Sequence, residues 1–468
     1  MPELMPSSQR SKMQLSYWQG ALTQHQRESN VEGMIQALES IADVYRGDGA
    51  FEEARAALQE ALSLQERMGD RAGVAAILTT LAQLSQQTAD LDGALALAQQ
   101  AYGLREREGD HVSCAGLLHF IGTILAGRRQ HTQALACFER SLAIREQLRN
   151  GADTAESLTA LGDSCMAQGR LKDALHAYGR AMNLYEQFGT PTQVAACLSG
   201  IGTVYVRLGQ SAPALDALRR ALLLQEKQGN QAAIGVTLSQ VGAAYLLQGQ
   251  EAPALEALQR ALALQETTAP PMAVAETLGR MGRVYCAQGR LAQAVGVHYR
   301  ALALLESLDE PKALVECLLA LGATYEAQGR AAGALTHYRR ALAVCETLDD
   351  QEALAEALTS VGTIHDNEGN GAAAEQALSR ALALRETLDD PIALARGCRA
   401  LARTLWAYGD RPRAVDLLER SLVIYRERQL RAEVIRELET LARCYQELES
   451  GERANQYLDE ARALRARI

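Results

Sequence analysis

Residues 158–182 read LTALGDSCMAQGRLKDALHAYGRAM, and this stretch returns up and down the chain. Steps of forty from its Ala174 land on alanine in both directions: Ala54, Ala94, Ala134, Ala214, Ala254, Ala294, Ala334, Ala374, Ala414 and Ala454. No insertion or deletion breaks the register. Leu158 stands in a column that runs from Leu38 to Leu438 and departs from leucine only at Cys398. The column of Gly162, from Ala42 to Ala442, holds only Ala or Gly, and the column of Ala181, from Ala61 to Ala461, holds only Ala or Ser. A fixed period of this length is the mark of a repeat architecture.

Each column has a physical reading. A small residue at a fixed place lets two helix backbones come close, where a larger side chain would overpack. Leu38, Ile41 and Tyr45 fall at i, i+3 and i+7 and make one apolar stripe. Ala54, Leu58, Ala61 and Leu62 make the stripe of a second helix. Between them, eight units carry glycine at the place of Gly49, as a helix C-terminus in the left-handed region requires. Most links between units read Gly-Asp, Gly-Asn, Asp-Glu or Asp-Asp, and Pro191, Pro271, Pro311 and Pro391 follow four of the links at first-turn positions, where a missing N–H costs nothing. The unit is therefore a helix A over 31–47, a short turn and a helix B over 51–68. Eleven units are expected, at 31–70, 71–110, 111–150, 151–190, 191–230, 231–270, 271–310, 311–350, 351–390, 391–430 and 431–468. Residues 1–30 are expected to form a tail and a lone capping helix, with Trp18 at the place of Leu58. A charged last helix near 452–467 is expected to face water.

Composition agrees and excludes much else. Hydrophobic residues make 48% and charged residues 22% of the chain, as in a folded globular protein. Aromatics at 4% and ten prolines disfavour sheet-rich folds. The net charge of −10 argues against nucleic-acid binding. No run of about 18 apolar residues exists to span a membrane, and the opening MPELMPSSQRSK does not read as a signal peptide. The nine cysteines are scattered, without Cys-x-x-Cys, and read as reduced core residues of a cytoplasmic protein.

Leu161-Gly162, Gly169-Arg170, Ala174 and Ala181-Met182, with Tyr205, Tyr245, Tyr285, Tyr325 and Tyr445 three residues past the glycine column, resemble the tetratricopeptide repeat. The period of forty, rather than 34, resembles the longer-helix variety of Pins/LGN-type adaptors and bacterial scaffold and sensor proteins. The resemblance implies an all-α, α-α superhelical solenoid with helix A lining the concave side. The Trp early in the family's helix A is missing here, as are the Asn ladder of Pins/LGN-type grooves and the Asn of carboxylate-clamp grooves. Their ligand specificities are therefore not carried over.

No catalytic or metal motif emerges. There is no His-Glu-x-x-His, no phosphate-binding Gly-rich loop and no Gly-x-Ser-x-Gly. His111, His119 and His131 are too few and too dispersed for a tetrahedral site. His365, Asp366 and Glu368 read as a solvated helix end. The chain is expected to be no enzyme and to need no cofactor and no metal.

Function is sought on the face that varies while the packing columns do not. By the resemblance, the groove is lined at 36, 39, 43 and 46 plus multiples of forty. The apolar candidates are Val206, Val236 and Leu246. Glu276, Glu316 and Glu356, with Arg283 among them, form an acidic stretch. Arg396, Arg399, Arg403 and Trp406 form a basic stripe, continued by Arg436 and Arg443. Three guanidiniums on one face repel unless something answers them. An external carboxylate or phosphate would do so, with Trp406 stacking on the ligand; alternatively Glu356, Asp366 and Glu439 pair with them and Trp406 packs locally. Residues 391–468 hold 15 Arg against 12 acids, in a chain that is otherwise acidic, so the charge is polarised along the array.

The expected function is a non-enzymatic interaction scaffold that grips an extended peptide or helix of a protein partner, with an acidic segment at the tenth and eleventh repeats. No nucleic acid or membrane is expected, and the chain is expected to be a monomer or weak homo-oligomer. The alternative is a peptide-responsive bacterial sensor that changes superhelical pitch on binding.

Overall fold

The structure, a computed structural model, describes residues 7–308, 310–348 and 350–466, without the side chains of 7–9. The first six and last two residues lie outside it, as do Asp309 and Asp349 of two expected links. Among the described residues there are only helices, and the chain divides into two compact units after Asn230. The first unit contains α1 (Ser7–Arg27), α2 (Val31–Gly47), α3 (Phe51–Met68), α4 (Arg71–Gln87), α5 (Leu91–Glu108), α6 (His111–Gly127), α7 (His131–Gln147), α8 (Gly151–Ala167), α9 (Leu171–Phe188), α10 (Pro191–Arg207) and α11 (Ser211–Gln228). The second contains α12 (Gln231–Leu247), α13 (Glu251–Thr268), α14 (Pro271–Ala287), α15 (Leu291–Leu305), α16 (Pro311–Ala327), α17 (Ala331–Leu348), α18 (Gln351–Asn367), α19 (Gly371–Thr387), α20 (Pro391–Tyr408), α21 (Arg411–Glu427), α22 (Arg431–Glu447) and α23 (Gly451–Arg465). Within each unit every helix packs on the one before and the one after it. The even-numbered helices are the A helices. Helix α1 lays Leu15, Trp18 and Leu22 against the core cluster of α2 and α3.

The helix ends follow local chemistry. Asn30, Asp70, Asp110 and Asn150 cap A helices by accepting from the backbone N–H three residues on. Pro191, Pro271, Pro311 and Pro391 sit in the first turn of α10, α14, α16 and α20. Gly49 turns the chain at φ +75°, but Ala89, Arg129 and Glu449 hold the same place at φ +61°, +61° and +57°. The turn is thus imposed by packing of the flanking helices even where the residue resists it.

The small column on helix A serves one contact. A Cβ added at Gly162 would meet the Tyr178 ring at 2.8 Å, at Gly322 the Tyr338 ring at 2.3 Å, and at Gly282 the His298 ring at 2.3 Å. Each glycine seats the large residue of its own helix B.

Two kinds of polar contact join consecutive repeats. Near the end of helix B, a buried polar side chain reaches into the next helix A. Arg145 Nη1 donates to Ser157 Oγ at 2.9 Å, Asp153 O at 2.7 Å and Glu156 Oε2 at 3.1 Å. Gln265 Nε2 donates to Gly235 O at 3.2 Å, while its Oε1 accepts from Thr277 at 2.7 Å. On the solvent side, consecutive B helices are bridged by Glu and an Arg 34 residues later: Glu266–Arg300 and Glu306–Arg340 at 2.7 Å, Glu346–Arg380 at 2.9 Å and Glu386–Arg420 at 2.5 Å. The last rung exchanges the charges, Arg426 holding Glu460 at 2.6 Å.

Candidate interaction site

The column of Gln36 is exposed in every repeat, because its neighbours on either side are buried in the core. That places Val236, Glu276, Glu316, Glu356, Arg396 and Arg436 on open helix-A surface. Of the three apolar candidates, Val206 belongs to the first unit, and Val236 and Leu246 to the second. Val236 is 44% exposed, whereas Leu246 packs against the cluster of Leu258, Met281 and Val284.

Arg399, Arg403, Trp406 and Arg443 come together. They line one cleft of about 410 Å³ formed by α20, α21 and α22, with Leu418, Thr440, Cys444 and Glu447. The four are not chemically equivalent. Arg399 Nε donates to Glu437 Oε2 at 2.8 Å and its Nη2 to Glu433 Oε2 at 3.0 Å, and its guanidinium lies over the Tyr425 ring at 5.0 Å. Arg403 is held by Asp366 at 3.1 Å from its Nη2, but is more than half exposed. Among the described residues the Arg443 side chain reaches only Thr440 Oγ1, at 3.5 Å. Trp406 takes the guanidinium of Arg411 at 5.2 Å from its ring centroid. Arg436 turns to Glu433 at 3.0 Å and does not line the cleft.

The internal partners are therefore only partly those expected. Asp366 does pair with Arg403, but Glu439 pairs with Arg465 at 2.7 Å. Arg399 is answered by Glu433 and Glu437, which the spacing argument passed over. Glu437 is wholly buried, with Ser421 donating to its other oxygen. Burial pushes its carboxyl above the usual range, against the pull of Ser421 and Arg399. A signal was present: Glu437 is the one charged residue in a column otherwise filled by small or apolar side chains, from Ala37 to Gly397.

Glu276, Arg283 and Glu316 also meet, around a second cleft of about 440 Å³ lined by α14, α15 and α16. Arg280 lies beneath, donating to Ser239 Oγ at 2.5 Å and facing Glu276 at 3.5 Å. Burial and the neighbouring Glu276 and Glu356 raise the Glu316 carboxyl, opposed by Arg283. His298 lines the floor, 1% exposed, and burial together with Arg283 pushes its imidazole down to about 4. Glu356 and Arg396 share a third cleft, of about 640 Å³, with Arg385. Sequence reasoning missed Arg385, which sits on helix B and outside the presumed lining.

The dispersed histidines stay dispersed. Among the described residues no three His, Cys, Asp or Glu side chains are grouped to hold a metal ion. His119 lies 3.7 Å from Glu156, and His365 lies 3.6 Å from Glu368. No described helix is long and apolar enough to cross a membrane.

Comparison with known proteins adds a family and a fold. A family profile described as tetratricopeptide repeat matches residues 16–107, 113–187, 159–227, 193–267 and 273–347. No curated protein matches the chain by sequence. Among solved structures, a signal transduction ATPase with numerous domains and a tetratricopeptide repeat sensor, from Pyrococcus horikoshii, is 14% identical with a TM-score of 0.54. That likeness covers 71% of this chain and 52% of the ATPase, about half its length. Looser likenesses are to BtubC from P. vanneervenii (20% identical, TM-score 0.40, 46% of this chain and 91% of that one) and to aspartyl phosphate phosphatase F from Bacillus subtilis (13%, 0.47, 75% and 94%).

Proposed function

The chain belongs to the tetratricopeptide repeat family, whose members are in general protein-interaction scaffolds, and from that premise we propose that it is a non-enzymatic scaffold binding an extended peptide or helix of a partner along its helix-A faces. Its modules are the eleven forty-residue repeats between 31 and 468, behind an N-terminal capping helix. The acidic segment of the partner lies in the cleft of α20–α22. One observation carries this reading: Trp406 and Arg443 stand in the same cleft, and among the described residues Arg443 makes no ion pair with a carboxylate. An acidic side chain there would gain a charge-assisted hydrogen bond and an aromatic wall.

The test compares capture of partners from lysate by the native chain and by a Trp406→Ala, Arg443→Glu variant. Arg399 is left intact, because its loss would strand Glu437 and confound binding with folding. A partner that the variant loses, while its circular dichroism is unchanged, supports the cleft. Equal capture moves the site elsewhere, first to Val236 and the acidic stretch of Glu276, Glu316 and Glu356. The sensor alternative adds one expectation, a change in small-angle scattering when the captured peptide is added; an unchanged profile removes it.

A further inference from the structure

Four arginines in the array, Arg105, Arg145, Arg385 and Arg465, occupy the same place near the end of a helix B, and among the described residues all but Arg385 have a side-chain partner: Arg105 holds Ala72 O and Asp110, and Arg465 holds Glu439. Arg145 is satisfied by Glu156, Ser157 and the carbonyl of Asp153 on the following helix A. Arg385 lies 240 residues on, six repeats later, and the residues that correspond to Glu156 and Ser157 are Arg396 and Gly397. The carboxylate has become a second guanidinium, and the hydroxyl has become a hydrogen. Neither the Arg385 nor the Arg396 side chain makes a hydrogen bond or ion pair among the described residues, although Glu356 and Asp390 attract the Arg385 guanidinium from beyond bonding distance. Both line the same cleft of about 640 Å³, and Arg385 is partly buried. Gly397 keeps the space open, since a Cβ there would meet Arg385 Nη1 at 2.9 Å.

A partly desolvated guanidinium, Arg385, with the exposed Arg396 as a like charge beside it, calls for an anion between them. The acids of the same cleft decide which anion. Glu352, Glu356 and Asp389 line it, and Asp390 is engaged in capping α20 through Ile392 N and Ala393 N. That ring of carboxylates disfavours a dianionic phosphate and favours a single negative charge with a positive one next to it. We infer that Arg385 and Arg396 form a seat for one carboxylate side chain of a bound peptide, with a basic residue beside it facing Glu352 and Glu356. The seat takes the place that Glu156 fills internally in the fourth repeat. It rests on the peptide-binding reading above only for the source of the carboxylate.

The experiment uses the full chain and a designed double variant, Arg396→Glu with Gly397→Ser, which restores the Glu156–Ser157 arrangement around Arg385. Two probes are used at constant ionic strength. One is sodium acetate, read by thermal unfolding, with inorganic phosphate as comparison. The other is a pair of peptides blocked at both termini, Ala-Ala-Glu-Lys-Ala-Ala and its Gln counterpart, read by calorimetric titration. The native chain is expected to gain melting temperature with acetate more than with phosphate, and to bind the Glu peptide at least ten times more tightly than the Gln peptide. The double variant is expected to melt higher without any anion and to lose both preferences. Arg385→Gln is expected to lose the preferences without that gain in stability, which covers the case of a double variant that folds poorly. A native chain indifferent to acetate overturns the seat, as does an acetate effect that persists in both variants or a larger effect of phosphate. Acetate protection with no Glu preference overturns the peptide as its source. Failure of partner capture in the α20–α22 cleft leaves the acetate result untouched, so the two readings fail separately.

Discussion

Arg399 on α20 and Glu437 on α22 are joined at 2.8 Å, one repeat apart, and the glutamate is shut off from water while the arginine is about a quarter exposed. The pair has the character of a strut between helices, with the carboxylate fixed in the core and the guanidinium pinned over Tyr425. Removing the arginine alone leaves a buried charge, so Arg399→Ala is expected to cost about 3 kcal/mol in urea unfolding. The cost should grow with pH. The Glu437 carboxyl has a folded pKa raised by burial, so its ionisation opposes folding, and stability is lost as pH rises through that folded value. The penalty measured at pH 8 is expected to exceed that at pH 5; a pH-independent penalty would show that Arg399 acts through packing alone.

His298 makes an opposite prediction. Its imidazole is buried and pushed down to about 4, whereas the unfolded chain binds a proton near 6.5. The unfolded state is thus the better proton acceptor between those values. Stability is full above the unfolded pKa and is lost as pH falls toward about 4, by up to about 3 kcal/mol. His298→Leu, which puts at this place the residue that Leu258 and Leu378 supply elsewhere in the column, is expected to flatten the acid limb of a urea-midpoint series.

Glycines in this chain separate into two kinds, and alanine substitution tells them apart. At Gly322 a methyl group would collide with the Tyr338 ring, so Gly322→Ala is expected to destabilise by about 1–3 kcal/mol. At Gly116, exposed within α6 with nothing within 4 Å, alanine is expected to stabilise by about 0.5–1 kcal/mol. Denaturation midpoints of the two variants should move in opposite directions.

Ala89 offers the converse. It closes α4 at φ +61°, where an L-residue is strained and glycine is not. Ala89→Gly is expected to raise stability by about 1 kcal/mol; a loss would mean that the backbone entropy of the unfolded chain outweighs the strain.

The fold was legible because each packing demand recurs in register. Gly162 facing Tyr178 and Gly322 facing Tyr338 leave the same trace in the sequence, and repetition removes the ambiguity that any one helix would carry. The site was less legible, for a physical reason. A helical periodicity assigns residues to faces but not to partners. It placed Arg399, Arg403 and Trp406 on one stripe, yet which guanidinium was already answered depended on Glu433 and Glu437, a repeat away, and on Asp366 from the other side. Arg385 escaped because it lies on helix B, where comparison with the paired Arg105, Arg145 and Arg465 of its column gives it a meaning.

The reversed rung between Arg426 and Glu460 bears on how such a gene can change its length. Unequal recombination adds or removes whole forty-codon blocks. Among the blocks bridged by Glu266–Arg300 through Glu386–Arg420 every junction is interchangeable, since glutamate always meets arginine. A deletion that joins the last block to any of these would set Glu460 against another glutamate, such as Glu386. The block that carries Glu460 is thereby keyed to the block before it, whereas the blocks upstream of that key exchange without a charge clash.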